Sequence, residues 1–208
     1  MSRRLPGVPC WFELGGSSDG EVLEFWSHTL GWVMDENRQV AGYRRSHAGG
    51  MKVAGFGGPV EPVVQRGWRV YLSVDDLDAT LVSATAAGAV RIGDIVQAGP
   101  DGRFAWIRDP HGLSTGFFEP TDDPGTSRES GPGRVSGWTI ESPVPAGTAA
   151  FYTSLFPGFD QHVIVSAAAT SQWIVSVSSG PNGTTGDVAD PRGNVLRLEA
   201  GPDTVVEG

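Results

Sequence analysis

The sequence predicts an α+β protein built from repeated β-α-β-β-β units. Apolar and polar residues alternate over several short stretches, which is the pattern of strands with one buried face. In each unit one segment of helical spacing follows the first of these stretches. The chain also has 30 glycines and 15 prolines among its 208 residues. This turn-rich composition suits a protein of many short strands.

The first predicted unit spans residues 8–58. Its first strand begins at residues 11–14, and a helix is expected over residues 21–30, where apolar side chains recur at helical spacing. Gly31 ends that helix. Candidate strands follow at residues 32–34, 40–45 and 51–56, the last of them weakened by its glycines.

The second predicted unit spans residues 67–120, after a proline-containing link at residues 57–66. Apolar residues alternate from position 70 to position 74. Asp76 then suits the N-cap of a helix that Gly88 ends. Three more strands fit at residues 90–95, 104–108 and 113–118. The turn Asp109-Pro110-His111-Gly112 separates the last two.

A third region follows a polar stretch at residues 121–134, whose composition is that of an exposed linker. Beyond it, Trp138-Thr139-Ile140-Glu141 echoes the first strand of the first unit. Phe151-Tyr152 echoes Phe25-Trp26, and Asp190-Pro191-Arg192-Gly193 echoes the turn of the second unit. The echoes come from two different units and lie too close together for a full pair. We therefore interpret residues 135–201 as one composite β-α-β-β-β unit, with a frayed tail at 202–208.

A lone unit leaves one face of its sheet uncovered, and apolar sheet faces are normally covered. Either the first domain or the same unit of a second chain could cover it. The sequence does not decide between these two, and we expect a homodimer.

Charge and composition exclude several classes of partner. The formal net charge is −9 and the sequence pI is about 4.8, which argues against nucleic acid and anionic membranes as partners. There is no apolar run of signal-peptide or membrane-spanning length. The single cysteine, Cys10, cannot form an internal disulfide and is expected to be a small buried side chain. These features predict a cytoplasmic protein.

Most common catalytic motifs are missing. The sequence has no phosphate-binding glycine loop and no nucleophile elbow. Asp75 and Asp76 precede a helix, so capping explains them better than catalysis. The four histidines have no partner at metal-binding spacing, and we interpret them as surface or turn residues.

Several segments together resemble the vicinal oxygen chelate superfamily, which includes glyoxalase I, bleomycin-resistance proteins and extradiol dioxygenases. The segments are Pro9-Cys10-Trp11-Phe12-Glu13-Leu14, Phe25-Trp26, Leu30-Gly31-Trp32, Val74-Asp75-Asp76-Leu77-Asp78, Gly102-Arg103 and Asp109-Pro110-His111-Gly112. Their order and spacing carry the resemblance, which is strongest to the tandem, hydroxylase-like branch. It implies that paired units at residues 8–58 and 67–120 curl one sheet around a cup, in which catalytic relatives hold a divalent metal.

The resemblance also implies where metal ligands would lie. The corresponding positions are Trp11, Arg69, Gly116 and one residue between Val53 and Phe56, and the equivalent in the third region is Arg197. Tryptophan, arginine and glycine side chains do not bind such metals. We therefore expect no metal and no other cofactor.

Arg69 and Glu13 are the candidate functional pair in this cup. Arginine offers a planar fork suited to carboxylate, phosphate or enolate oxygens. A buried ion pair that only holds the sheet together is the alternative. Strand alternation sends Tyr71, Ser114 and Phe118 to the same side as Trp11 and Gly116. The residues expected to bind ligand are Trp11, Tyr71, Trp106, Ser114, Gly116 and Phe118, with a place in the core as the alternative for the two tryptophans.

Two functions remain open at this point. The first is a protein of the bleomycin-resistance type, which binds a small planar or anionic metabolite in an aromatic cup. The second is a metal-independent enzyme of secondary metabolism, a lyase, isomerase or hydroxylase-like protein. In that enzyme Arg69 would stabilise negative charge and Glu13 would move a proton.

Overall fold

The computed structural model describes residues 4–16, 19–36, 42–57, 67–121, 125, 126, 129, 131–179 and 183–200. These residues form two mixed β-sheets with three α-helices, an α+β fold of βαβββ-like units. The predicted tail at residues 202–208 and most of the predicted link at 57–66 lie outside the described residues.

The first unit contains β1 (Pro9–Leu14), α1 (Gly20–Leu30), β2 (Val33–Glu36), β3 (Arg44–Ala48) and β4 (Met51–Phe56). Asp19 caps α1 by accepting the Glu21 amide, and Gly31 ends it with a φ of 69°. The helix and the order of strands are as predicted. Strand β3 lies later than the predicted 40–45, because residues 44–48 pair with both β2 and β4.

The second unit contains β5 (Trp68–Ser73), α2 (Leu77–Ala86), β6 (Val90–Gln97), β7 (Gly102–Arg108) and β8 (Ser114–Pro120). The predicted N-cap is confirmed, since the Asp76 side chain accepts the Ala79 amide at 2.9 Å. Both units join in one eight-stranded sheet in the order β2-β3-β4-β1-β5-β8-β7-β6, with β1 antiparallel to β5.

The third region contains β9 (Val135–Ser142), α3 (Pro145–Leu155), a 3₁₀ turn (Phe159–Gln161), β10 (Ile164–Ala167), β11 (Gln172–Ser178), β12 (Gly186–Ala189) and β13 (Val195–Glu199). Its five-stranded sheet has the order β10-β9-β11-β13-β12. This differs from the single composite unit that the sequence predicts, which would have four strands.

The strand directions explain the difference. The pairs β9–β10 and β11–β13 are parallel, and the pairs β9–β11 and β12–β13 are antiparallel. The central strands β4-β1-β5-β8-β7 of the larger sheet have the same order and the same directions. The third region is therefore the centre of a paired arrangement that lacks counterparts of β2, β3, α2 and β6, which is why echoes of both units fit into so short a segment.

The second sheet packs against the first within the same chain. One buried cluster contains Phe12 and Val70 from the larger sheet together with Trp138 and Ile140 from the smaller one. The rings of Phe12 and Trp138 meet edge to face at 5.7 Å. The face of the second sheet is therefore covered within one chain, so it no longer supports a homodimer. The homodimer stays a prediction, which light scattering would test.

Parts of the polar stretch at 121–134 are held against the first domain rather than exposed. Thr126 is buried, and its amide donates a hydrogen bond of 2.6 Å to the Cys10 carbonyl. Cys10 itself is buried, as predicted. None of the helices in the described part of the chain is long and apolar enough to cross a membrane.

Candidate functional site

The face of the eight-stranded sheet that points away from the second sheet carries most of the predicted site residues. We call it the cup face and define it by Trp11, Glu13, Arg69, Tyr71 and Gly116. The register pairs Glu13 with Arg69 and Trp11 with Tyr71, while Tyr71 lies beside Gly116. The predicted alternation of these side chains is therefore confirmed.

Glu13 is the centre of a buried hydrogen-bonded cluster on the cup face. The Tyr71 hydroxyl donates to its Oε1 at 2.7 Å, and the Tyr43 hydroxyl donates to its Oε2 at 3.0 Å. Trp11 Nε1 donates in turn to the Tyr43 hydroxyl at 2.9 Å. Arg69 Nη2 forms an ion pair with Glu13 Oε1 at 3.1 Å. The carboxylate therefore has three neighbouring donors for its two oxygens.

Arg69 is enclosed on several sides. Its guanidinium carbon lies 5.4 Å from the ring centroid of Trp106, a cation–π distance. A Cβ on Gly15 would come within 1.8 Å of Nη2, so only glycine leaves room for the side chain there. Although Nη2 is close to Glu13, neither it nor Nε has an aligned hydrogen bond among the described residues. The ion pair thus balances the charge but leaves two donors unused.

Two glycines provide the space that the tyrosines fill. A Cβ on Gly116 would lie 2.4 Å from the Tyr71 ring, and a Cβ on Gly55 would lie 1.8 Å from the Tyr43 hydroxyl. Gly116 is one of the residues predicted to bind ligand. In the structure the Tyr71 ring occupies the space beside it, because the two residues are register partners on neighbouring strands.

Both tyrosine hydroxyls remain protonated in this setting. Burial, followed by the negative charge of Glu13, raises the pKa of Tyr43 and of Tyr71 well above the ordinary value for tyrosine. Each hydroxyl therefore acts as a hydrogen-bond donor to Glu13 and not as a base.

An aromatic rim surrounds this polar centre. Tyr71 and Trp106 are buried in a small second cluster with Cys10 and Ile92. Three half-buried aromatic side chains pack on it: Trp11, Phe104 and Phe118. An ion pair between Arg45 on β3 and Asp101, before β7, joins the two units on this side of the domain.

Ser114 is the predicted site residue that lies apart from the Glu13 cluster. It lines a cleft of about 220 Å³ between the two sheets, together with Trp68 and Arg69 of β5 and residues 172–174 and 192–195 of the third region. Sequence reasoning missed Tyr43, Gly55 and Arg45 on the cup face. Tyr43 and Arg45 lie within the strand predicted at residues 40–45 and share the alternation that predicted the other members, so this signal could have found them.

The donor set on the cup face does not suit a divalent metal. Of the positions that the resemblance assigns to ligands, three hold Trp11, Arg69 and Gly116, and the stretch between Val53 and Phe56 contains only Ala54 and Gly55. Glu13 is the one carboxylate of this cluster, and its oxygens face two hydroxyls and a guanidinium. In the described part of the chain, no three His, Cys, Asp or Glu side chains lie together in a metal-binding group.

A family model described as "Glyoxalase-like domain" matches residues 18–116. This part of the chain, a little under half of it, is similar to glyoxalase-like domains. The match supports the resemblance to the vicinal oxygen chelate superfamily that the sequence shows. The assignment to the tandem, hydroxylase-like branch stays a prediction.

Two relatives extend the similarity in sequence. The chain is 34% identical to the "Putative glyoxylase CFP32" of Mycobacterium tuberculosis over 116 residues, or 55% of this chain and 44% of that protein. The chain is 28% identical to the "Anthracycline biosynthesis protein DnrV" of Streptomyces peucetius over 160 residues, or 66% of this chain and 56% of that one. The chain thus spans about half the length of the curated relatives it matches.

Solved structures show the same fold at low identity. The Mn(II)-bound glyoxalase from Novosphingobium aromaticivorans superposes with a TM-score of 0.68 at 15% identity, covering 95% of this chain and 82% of that one. Homoprotocatechuate 2,3-dioxygenase from Brevibacterium fuscum gives 0.63 at 13% identity, covering 95% and 82%. The smaller sheet is included in this coverage, so the fold extends beyond the glyoxalase-like domain.

Proposed function

We propose that this protein binds a small planar metabolite on the cup face and does so without a metal. The observation that carries the proposal is which side chains occupy the positions that the resemblance assigns to metal ligands. Tyrosine hydroxyls and Arg69 converge on Glu13 beside those positions. What remains at the surface is the half-buried aromatic rim of Trp11, Phe104 and Phe118.

Aromatic side chains of this kind favour a flat partner. Their faces offer large apolar contact at little cost in conformational entropy, and offset or edge contacts add to it. The Tyr43 and Tyr71 hydroxyls each donate to Glu13, and each oxygen retains acceptor capacity for a polar group of the ligand. The proposal therefore names a planar molecule with a polar substituent.

Binding is better supported than turnover. The two tyrosines stay protonated, and the Glu13 oxygens already face three donors, so this cluster has no free base poised to take a proton. A metal-independent enzyme would have to break these contacts in its working cycle. The name of the Streptomyces relative, an anthracycline biosynthesis protein, supports a polycyclic aromatic as one ligand class to test.

Binding of anthraquinone-2-carboxylate to the purified protein tests the proposal. We expect saturable binding by calorimetry and less than a tenth of an equivalent of metal by elemental analysis, as a rough bound, because the donor set does not suit a metal. Trp11→Leu should weaken binding about five- to ten-fold by removing a ring from the rim.

Phe25→Leu is the matched control, since Phe25 is also a partly buried aromatic but lies on α1, in the other core cluster. It should leave binding unchanged. One equivalent of bound metal whose removal abolishes binding would refute the metal-free proposal. Equal effects of the two substitutions, or no binding of any planar aromatic, would refute the assignment to the cup face.

A further inference from the structure

The cup, which is the space in front of the cup face, is spanned by an ion pair between the two units of the first domain. Arg45 lies on β3, and Asp101 lies in the turn between β6 and β7. In the sheet order, β3 and β7 are five strand spacings apart. Neighbouring strands lie about 4.8 Å apart, so a flat sheet would separate them by roughly 24 Å. The direct bond from Arg45 Nη2 to Asp101 Oδ2 therefore requires the sheet to curl until its two sides meet.

The ion pair adjoins the aromatic rim on both sides. On the first unit, Arg45 is two residues from Tyr43, whose hydroxyl accepts the Trp11 indole N–H. On the second unit, the glycine that follows Asp101 would meet the Phe118 ring at 2.9 Å if it carried a Cβ. Trp11 and Phe118 are two of the three half-buried rim residues. The ion pair thus joins the two sides of the rim that a ligand would have to reach.

Asp101 is the fixed end of this pair. Its amide donates to the Ala98 carbonyl at 3.2 Å, and its carbonyl accepts the Thr121 amide at 2.8 Å. The Gln97 side chain donates to the Gly102 carbonyl at 2.9 Å in the same turn. Because these bonds hold the turn, the long arginine side chain is the part of the pair that can move.

Arg45 has a second carboxylate within reach. Asp35 on β2 is its register partner, and directly opposite side chains of antiparallel strands lie on one face with their Cβ atoms about 5 Å apart. The Asp35 side chain is 55% exposed, and its carboxylate lies 3.7 Å from His47 Nδ1. The side chains of Arg45 and Asp101 are 19% and 21% exposed. One arginine therefore has two possible partners, one across the cup and one along its edge.

We propose that Arg45 is a latch on the cup, bonded to Asp101 when the cup is closed and to Asp35 when it opens to admit or release a ligand. The guanidinium keeps a carboxylate partner in both states, so opening leaves no partly buried charge alone. The inference rests on the proposed binding of a planar ligand on the cup face. It adds that the ion pair controls the rates of entry and release.

Fluorescence quenching by acrylamide tests the latch without any ligand. Six of the seven tryptophans are at most 8% exposed, and Trp11 is the half-buried one, so quenching reports mainly on the rim. Asp101→Asn removes the charge of the closed-state partner and should raise the quenching constant about two-fold, because the open state becomes more populated. Asp35→Asn makes the same chemical change at the open-state partner and should not raise it.

Stopped-flow binding of 2-(hydroxymethyl)anthraquinone measures entry and release. This probe is uncharged, so a lost carboxylate cannot act by attracting or repelling it. Asp101→Asn should raise the association and dissociation rate constants about five-fold each, and Asp35→Asn should lower both. Glu129→Gln is the control: it weakens the ion pair with Arg134 before β9, whose side chains are 28% and 21% exposed, and should change neither rate.

Opposite effects of the two aspartate substitutions are required by the latch, since a merely structural ion pair would not give them. Unchanged quenching and unchanged rates in all variants would refute the latch and leave ligand binding intact. Faster association without faster release would also refute it, because a gate acts in both directions. Raised quenching in Asp101→Asn without any binding of the probe would support the latch and count against the proposed ligand.

Discussion

A glutamate on the first strand of each sheet pairs with an arginine, but the two pairs lie in different surroundings. Glu13 and Arg69 have side chains that are 11% and 6% exposed. Glu141 and Arg197 are 20% and 33% exposed, and Arg197 also bonds Asp187 at 2.7 Å. Gln172 stands opposite Glu141 as Arg69 stands opposite Glu13.

The difference between the pairs comes from what surrounds them. The first is enclosed by Tyr43 and Tyr71, which the glycines at positions 55 and 116 allow to approach, and by Trp106. The second lies on a sheet that lacks counterparts of three outer strands and remains open to water. A similar pairing is thus part of a buried polar centre in one domain and a solvated surface network in the other.

The largest expected difference in stability between the two pairs appears when the arginine of each is replaced. Arg69→Met should lower the free energy of unfolding by about 3–5 kcal/mol, because it leaves the buried Glu13 carboxylate without its cation. Arg197→Met should cost less than about 1 kcal/mol, since water replaces the lost contact. Urea unfolding of both variants measures this.

The double change Glu13→Gln with Arg69→Met should recover part of the loss, because no buried charge is then left alone. Similar costs for Arg69→Met and Arg197→Met would mean that burial does not distinguish the two pairs.

A smaller loss of stability is expected when a glycine in each sheet is replaced by alanine. Gly116→Ala places a Cβ at 2.4 Å from the Tyr71 ring and should cost about 1–3 kcal/mol through overpacking. Gly137→Ala on β9 meets only the Ser176 side chain at 3.3 Å and should be close to neutral. Thermal melts of the two variants compare them. A Gly116→Ala protein as stable as the wild type would show that the Tyr71 ring can move away from the cluster.

The two Asp-Pro turns give a second, subtler comparison. Asp109 Oδ1 accepts the amides of His111 and Leu113, and Asp190 Oδ1 accepts those of Arg192 and Asn194. Asp190 Oδ2 also accepts Trp26 Nε1 of α1 at 3.1 Å. The corresponding residue on α3 is Tyr152, whose hydroxyl shares a 2.7 Å hydrogen bond with Thr115.

Asp109 Oδ2 is consequently left without a hydrogen bond among the described residues. Burial raises the pKa of Asp109, against the effect of the Leu113 and His111 amides. Each turn therefore faces the helix of the other domain, but only Asp190 accepts an aligned hydrogen bond from that helix through its Oδ2 among the described residues.

This asymmetry predicts the smallest effect, a dependence on pH. The folded state holds the Asp109 proton to a higher pH than the unfolded chain, whose aspartate pKa is about 3.9. Stability due to this group is therefore greatest at low pH and falls as pH rises through the interval between the two pKa values.

Asp109→Asn keeps an oxygen for the two amides and removes the buried charge, so it should gain about 1 kcal/mol at pH 7 and nothing at pH 4. Melting temperatures from pH 4 to 8 measure this. Asp190→Asn is the control and should lose stability, because it weakens the contact to Trp26. A gain from Asp109→Asn that does not vary with pH would contradict the prediction.

Local pattern was sufficient for much of the fold. Alternation placed β5 and β8, and the N-cap Asp76 and the terminator Gly31 marked helix ends, because these signals depend only on neighbouring residues. The same alternation put Glu13, Arg69 and Tyr71 on one face. The resemblance to the family assigned its metal-ligand positions to residues of this chain, and residue identity alone makes those side chains unsuitable as ligands.

Tertiary structure decided the rest, for reasons of distance along the chain. The pairing of β9 with β10 and of β11 with β13 depends on which strand edges meet, so it could not be read from the spacing of the echoes. Tyr43 reaches Glu13 from 30 residues away, through a register that Gly55 permits. The cleft between the two sheets exists only because the third region folds back onto β5 and β8, which no local pattern in the sequence indicates.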